Sequence, residues 1–164
     1  MLTHETGSGL PTAESYASVA AADAYHAARR TAAAWASLDT GAKEAALREA
    51  TDHMAQEYRG RWKGQRVSST QALDWPRAWV EVEQFTLPSD AVPAEVVKAC
   101  CELALKASAA VLKSDQGAQV LSKEVGPLKV VYAHGARQGT KFAAVDDLLR
   151  PLLVGGGAMR LVRS

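Results

Sequence analysis

The sequence predicts a mainly α fold: a small bundle of three to four helices with a short β-hairpin or extended segments, a flexible N-terminal arm and an extended C-terminal tail. Three observations predict it. Apolar residues recur at helical spacing through three long stretches. Alanine supplies much of the 48% hydrophobic fraction, whereas aromatic residues make up only 6%. Gly, Pro and Ser gather between the periodic stretches. At 164 residues the chain fits one domain, able to bury roughly two thirds of the surface its unfolded form exposes. An alanine-rich core is thin, because each alanine buries little area, and neighbouring subunits are expected to complete it. The implied organisation is an arm over 1–14, a single helical domain over 15–154 and a tail over 155–164.

Residues 1–14 are rich in Gly, Thr and Pro without periodicity, which predicts a flexible arm. From Ser18 to about Leu38, residues Ala21, Tyr25, Ala28, Ala32 and Trp35 fall on one helical face, with Ser18 as N-cap. A second helix runs from near Thr40 to Tyr58, with Leu47, Ala50, Met54 and Tyr58 as its apolar stripe and Lys43, Glu44, Arg48, Glu49 and Asp52 elsewhere. Periodicity stops between Arg59 and Pro88, an ordered loop or small β region in which Val80-Glu81-Val82-Glu83 reads as a short strand. A third helix starts near Pro93 and carries Val96, Cys100, Leu103 and Ala107 on one face. Residues 120–133 suggest two short strands, or an extended segment, bent at Gly126-Pro127, and a loop follows over 134–140. Val145, Leu148, Leu149 and Leu152 suggest a last short helix interrupted near Pro151. Three glycines, Gly155 to Gly157, then hinge a tail in which Met159, Leu161 and Val162 mix with Arg160 and Arg163, a pattern that suits docking on another subunit.

With 19 Lys+Arg against 18 Asp+Glu the formal charge is +1, which removes the global phosphate attraction of a dedicated nucleic-acid binder. No run approaches a membrane span, and the first residues lack the basic and apolar regions of a signal peptide, so a cytoplasmic protein without membrane partners is expected. Cys100 and Cys101 are adjacent and read as reduced packing residues. His4, His26, His53 and His134 are scattered, without metal-ligand spacing. The glycine run follows no βαβ pattern, and no carboxylate pair marks acid–base work. A non-enzymatic protein without cofactor or metal is expected.

The richest local signal is the run Arg59, Arg61, Trp62, Lys63 and Arg66, continued by Trp75 and Arg77. Cations interleaved with aromatic faces suit single-strand binding, where the cations track phosphates and bases stack on rings. The same residues also suit a structural loop, with arginines stacking on tryptophans and pairing with acids. Composition and spacing leave both open.

An ordered series of short matches runs along almost the whole chain: Ala13-Glu14-Ser15-Tyr16, Ala22-Asp23-Ala24-Tyr25, Ala45-Ala46-Leu47, Gln71-Ala72-Leu73 before Trp75-Pro76-Arg77, then Cys101-Glu102-Leu103-Ala104, Val125-Gly126-Pro127 and Leu148-Leu149. This series resembles a family of tailed-phage proteins often labelled DnaT-like single-stranded-DNA-binding proteins, which look like head–tail adaptor (head completion) proteins. The Gln-Ala-Leu-x-Trp-Pro-Arg run is its most specific part. A Gly-containing turn is usual after that run, where this chain has Ala78-Trp79-Val80. The resemblance implies a structural subunit of a dodecameric homo-oligomeric ring beneath the portal protein. Such a ring extends the DNA channel, touches packaged double-stranded DNA transiently and presents its far face to a tail or nozzle protein. It places the protein in the virion after assembly in the host cytoplasm. On that expectation Met159, Arg160, Leu161, Val162 and Arg163 contact the portal, and the basic loop serves as channel lining, packing or DNA contact.

Overall fold

In the computed structural model the described residues are 1–113, 122–125, 128–131 and 140–155, the two short strands by backbone alone. Helix α1 spans Val19–Ala27 and is capped as its sequence predicts, the Ser18 hydroxyl accepting from the Ala21 N–H at 3.1 Å. It does not continue to Leu38. The chain turns at Ala28 to Thr31 and resumes as α2, Ala32–Ala36. His26 accounts for the break: its Nδ1 meets the Thr31 hydroxyl at 2.8 Å and its Nε2 the Cys101 carbonyl at 3.2 Å. On a continuous helix residues five apart point about 140° away from each other, so Thr31 reaches the imidazole only if the helix folds back. The turn also sets Trp35 over His26 with ring centroids 4.8 Å apart, and the indole N–H donates to Asp23 at 2.7 Å. Trp35 is buried as expected, but α1 buries Ala22 and His26, one residue round from the expected Ala21 and Tyr25; Ala21 and Ala28 are exposed, and the Tyr25 hydroxyl reaches out to Glu102.

Helix α3, Thr40–Tyr58, starts at Asp39, whose carboxylate accepts from the Ala42 N–H at 2.8 Å, and buries the expected Leu47, Ala50, Met54 and Tyr58. Helix α4, Ala94–Ala107, follows Pro93 and packs along it through Val96, Ala99, Cys100, Leu103 and Ala104. Alanines and cysteines at this seam let the two backbones approach. The Cys100 sulfur sits between the Thr51 and Ser15 hydroxyls at 3.5 and 3.7 Å. Both cysteines are free and buried, and burial pushes the Cys101 thiol up to about 12, the state of a packing residue. Helix α5, Ala143–Leu149, lays Val145 and Leu149 against α4 and ends in a 3₁₀ turn, Arg150–Leu152, at Pro151. These helices make the fold mainly α.

Residues 1–14 do not form a flexible arm. His4 bridges to Ser15, the Glu5 N–H donates to the Ser15 carbonyl at 2.8 Å, and the Ala72 N–H donates to the Leu10 carbonyl at 3.0 Å. Glu5 is buried, and its carboxylate accepts from the N–H groups of Gly7, Gly9 and Leu10. Gly7 has φ +107°, and a Cβ there would lie 2.0 Å from the Asp90 carbonyl oxygen, so glycine is what lets the segment close on the body. The Gly, Thr and Pro that read as a disordered composition are turn residues of a folded seam.

Among the described residues the strands form three antiparallel pairs. Strand β1 (Gln65–Arg66) pairs with β2 (Arg77–Ala78), and β3 (Glu81–Val82) with β4 (Phe85–Thr86). β5 (Ser122–Val125) pairs with β6 (Leu128–Val131) in the register Val125 opposite Leu128, as expected for strands either side of Gly126-Pro127. The β3–β4 turn uses Glu83 and Gln84 at φ 50° and 71°, the left-handed pair that matches the twist of a two-residue hairpin. Trp79, where a glycine-containing turn is usual in the family resembled, sits at φ 58°. The rest of the loop over 134–140 lies outside the described residues except Thr140.

The histidines make stability depend on pH. Burial lowers the pKa of His26, and of His53, which packs edge-on to Phe142 at 5.4 Å with Nδ1 unpartnered among the described residues. Both pKa values are lower folded than unfolded, so the unfolded chain takes up these protons first. Their contribution is fully present above about pH 6.5 and is lost as pH falls below it. Thermal melts between pH 7 and pH 5.5 should show a falling Tm, and His53→Leu should flatten part of that slope.

Candidate nucleic-acid interface

The basic segment follows directly from α3, so the helix end fixes where it starts. Arg59 donates through Nε to both oxygens of Asp74, at 3.0 and 3.3 Å; Asp74 is buried while Arg59 stays largely exposed. Arg61 is exposed, its guanidinium 5.4 Å from the Tyr58 ring centroid, and it makes no ion pair among the described residues. Lys63 reaches the Glu81 carbonyl at 3.0 Å and so ties the segment to the β3–β4 hairpin. Arg66 donates to the carbonyls of Gln71 and Leu73. Arg77 is buried and spends Nε, Nη1 and Nη2 on the carbonyls of Lys63, Asp74 and Gly64, at 2.7, 3.1 and 2.7 Å.

The tryptophans of this segment face inward. Trp62 is 4% exposed and Trp75 not at all, and their rings meet edge to face at 5.7 Å, with Tyr58 5.7 Å beyond Trp62. Neither presents a face on which a base could stack. The segment acts as a clasp for the end of the domain: Trp62 bridges to Leu153, the Lys63 N–H donates to the Leu152 carbonyl, and the Val154 N–H donates to the Arg61 carbonyl. Val154 and Gly155 are exposed where the sequence continues toward Met159, Arg160, Leu161, Val162 and Arg163, which lie outside the described residues.

Sequence reasoning missed three participants. Asp74 is the carboxylate that holds Arg59, and its N–H donates to the Tyr16 hydroxyl at 3.0 Å. Gln71 stitches the loop by donating to the Leu73 and Pro76 carbonyls and accepting from the Ser68 N–H. The third is a set of two exposed aromatic residues, Trp79 just before β3 at 71% and Phe85 on the β3–β4 hairpin at 74% exposure, close in sequence to the exposed Glu81 and Glu83. Aromatic faces and cations thus occur on different parts of this surface, the exposed rings with acids and the cations with buried rings.

Among the described residues no group of three or more His, Cys, Asp or Glu could hold a metal ion, and no helix is long and apolar enough to cross a membrane. Neither curated proteins nor solved structures include a match to the chain. Residues 1–164 match the profile of a family described as "Putative DnaT-like ssDNA binding protein". That match spans the helical body, the seam at its start and the basic clasp alike, and the chain therefore belongs to this DnaT-like family.

Proposed function

We propose that this chain is a ring-forming head-to-tail adaptor of a tailed bacteriophage, a structural subunit rather than an enzyme. It attaches to the portal protein, extends the DNA channel and carries the tail or nozzle protein below. One observation carries this reading: Trp79, between β2 and β3, and Phe85, on the β3–β4 hairpin, are exposed with no ring contact among the described residues. A non-glycine residue in left-handed backbone costs about 1–2 kcal/mol, and an exposed indole recovers little of that inside the monomer. A neighbouring copy that covers the hairpin supplies the missing burial, as the thin alanine-rich core also favours. The exposed Val154–Gly155 exit supports the second contact, a tail over 158–164 reaching the portal, and the near-neutral chain suits a channel through which DNA slides.

Native mass spectrometry with a tailed-phage portal protein tests the reading and should give a complex with a ring's worth of copies. Trp79→Gly should leave the melting temperature unchanged or higher, since glycine adopts φ 58° freely, and weaken self-assembly about tenfold or more. Deleting residues 158–164 should abolish portal attachment with the fold intact. A chain that stays monomeric at every ratio of portal sinks the adaptor. The second reading, nucleic-acid binding, is favoured by the description of the family to which the chain belongs.

A further inference from the structure

Beside the clasp lies an open cleft lined by Arg59, Arg66, Arg77, Asp74, Gln65 and Ser69. We propose that this notch binds the phosphodiester backbone of a nucleic acid, without reading bases and without distinguishing one strand from two. The inference rests on the nucleic-acid reading and is independent of ring assembly.

Charge accounting within the notch is the first argument. Arg66 and Arg77 donate only to backbone carbonyls, neutral acceptors that occupy their N–H groups without cancelling their charge. The one carboxylate in the lining, Asp74, is engaged by Arg59 through Nε, and the two terminal nitrogens of Arg59 take no partner among the described residues. Three guanidiniums against one carboxylate leave a local excess of two positive charges in a chain whose overall charge is only +1. That excess sits in one place.

Rigidity is the second argument. Carbonyl bonds fix the planes of Arg66 and Arg77, so little side-chain entropy remains to be lost when an anion arrives. Arg59 is the exposed arm, 61% exposed and held at Nε by Asp74, which leaves its outer edge to fork around two phosphate oxygens. The ligand class follows from what the lining lacks. It contains no apolar or aromatic side chain, so nothing there could stack a base or seat the apolar side chains of a peptide. Trp62 and Trp75, the rings that would make the segment selective for single strands, are buried behind it. What remains is charge and hydrogen-bond donors for phosphate, which single strands and duplexes present alike.

Fluorescence anisotropy with a labelled oligo-dT single strand and a labelled duplex of equal length tests the proposal, with polyglutamate as a competing polyanion. Both nucleic acids should bind within about threefold of each other at about 50 mM salt, and both should weaken steeply by about 200 mM, while polyglutamate competes poorly. Ser69 is exposed and its hydroxyl makes no hydrogen bond among the described residues, so Ser69→Glu places an acid in the notch without disturbing the clasp. It should weaken both complexes about tenfold, whereas Ala109→Glu, the same charge change at an exposed site beyond α4, should leave them within about twofold. A single strand bound far more tightly than the duplex and untouched by Ser69→Glu overturns the notch while leaving single-strand binding standing. No binding of either at low salt overturns both. Equal losses in the two variants, or effective competition by polyglutamate, overturn the notch as a phosphodiester site.

Discussion

Trp75→Ala should destabilise the fold by about 3–5 kcal/mol, the cost of removing a large, fully buried aromatic side chain and leaving its cavity. Trp75 has no exposed surface and packs edge to face on Trp62, which in turn packs on Tyr58 and bridges to Leu153. The loss therefore reaches both the end of α3 and the segment leading to the tail. Chemical denaturation should show a lower midpoint, and amide exchange should speed up at Lys63 and Val154, whose N–H groups bond across the clasp. The indole N–H of Trp75 has no hydrogen-bond partner among the described residues, so Trp75→Phe loses volume but none of these bonds and should cost less than about 2 kcal/mol. A Trp75→Ala variant as stable as the parent would mean that the ring contributes nothing to packing.

Arg77→Leu should be comparably severe, about 3–5 kcal/mol, for a different reason. The guanidinium donates to three carbonyls, those of Lys63, Asp74 and Gly64, drawn from two separate stretches of chain. Leucine is shorter and carries no donor, so it leaves these acceptors buried or half-buried without this partner, each at about 1–3 kcal/mol, partly recovered by water. Arg77→Lys keeps the charge but offers one ammonium where a planar fork met three acceptors, so it should recover less than half of the loss. Urea titrations of the parent and both variants decide this. Full rescue by lysine would reduce the role of Arg77 to its charge.

The sequence was most legible where polarity and period agreed. Helix α3 carries charged residues on one side and Leu47, Ala50, Met54 and Tyr58 on the other, between an aspartate cap and Tyr58, and both its boundaries and its buried face could be read directly. Helix α1 lies in an alanine run, where Ala21 and Ala22 offer the same hydropathy and the period has no contrast to set its phase. The break after it depends on Cys101, 75 residues away from His26, a tertiary partner that no local window contains. The first 14 residues were misread for the same reason, since their partners are Ala72 and Asp90. In the basic segment, residue types announced both a stacking surface and a strut. Only the positions of the rings separate the two, because tryptophan and arginine carry the same pattern whether they face water or each other.

The closed N-terminal seam has a temporal consequence. Residues 4–10 are synthesised before the chain segments they touch, the Leu10 carbonyl waiting for Ala72 and the Gly7 turn for Asp90. Glu5 can draw in the N–H groups of Gly7, Gly9 and Leu10 at once, because that loop is local. Closing it against the body requires loops of some sixty to eighty residues to form first. On the ribosome residues 4–10 therefore stay undocked until the chain up to Asp90 has emerged. Closure of the seam is then expected late in folding, and a side chain placed at Gly7 would oppose that closure, at the approach to Asp90, rather than disturb the helices.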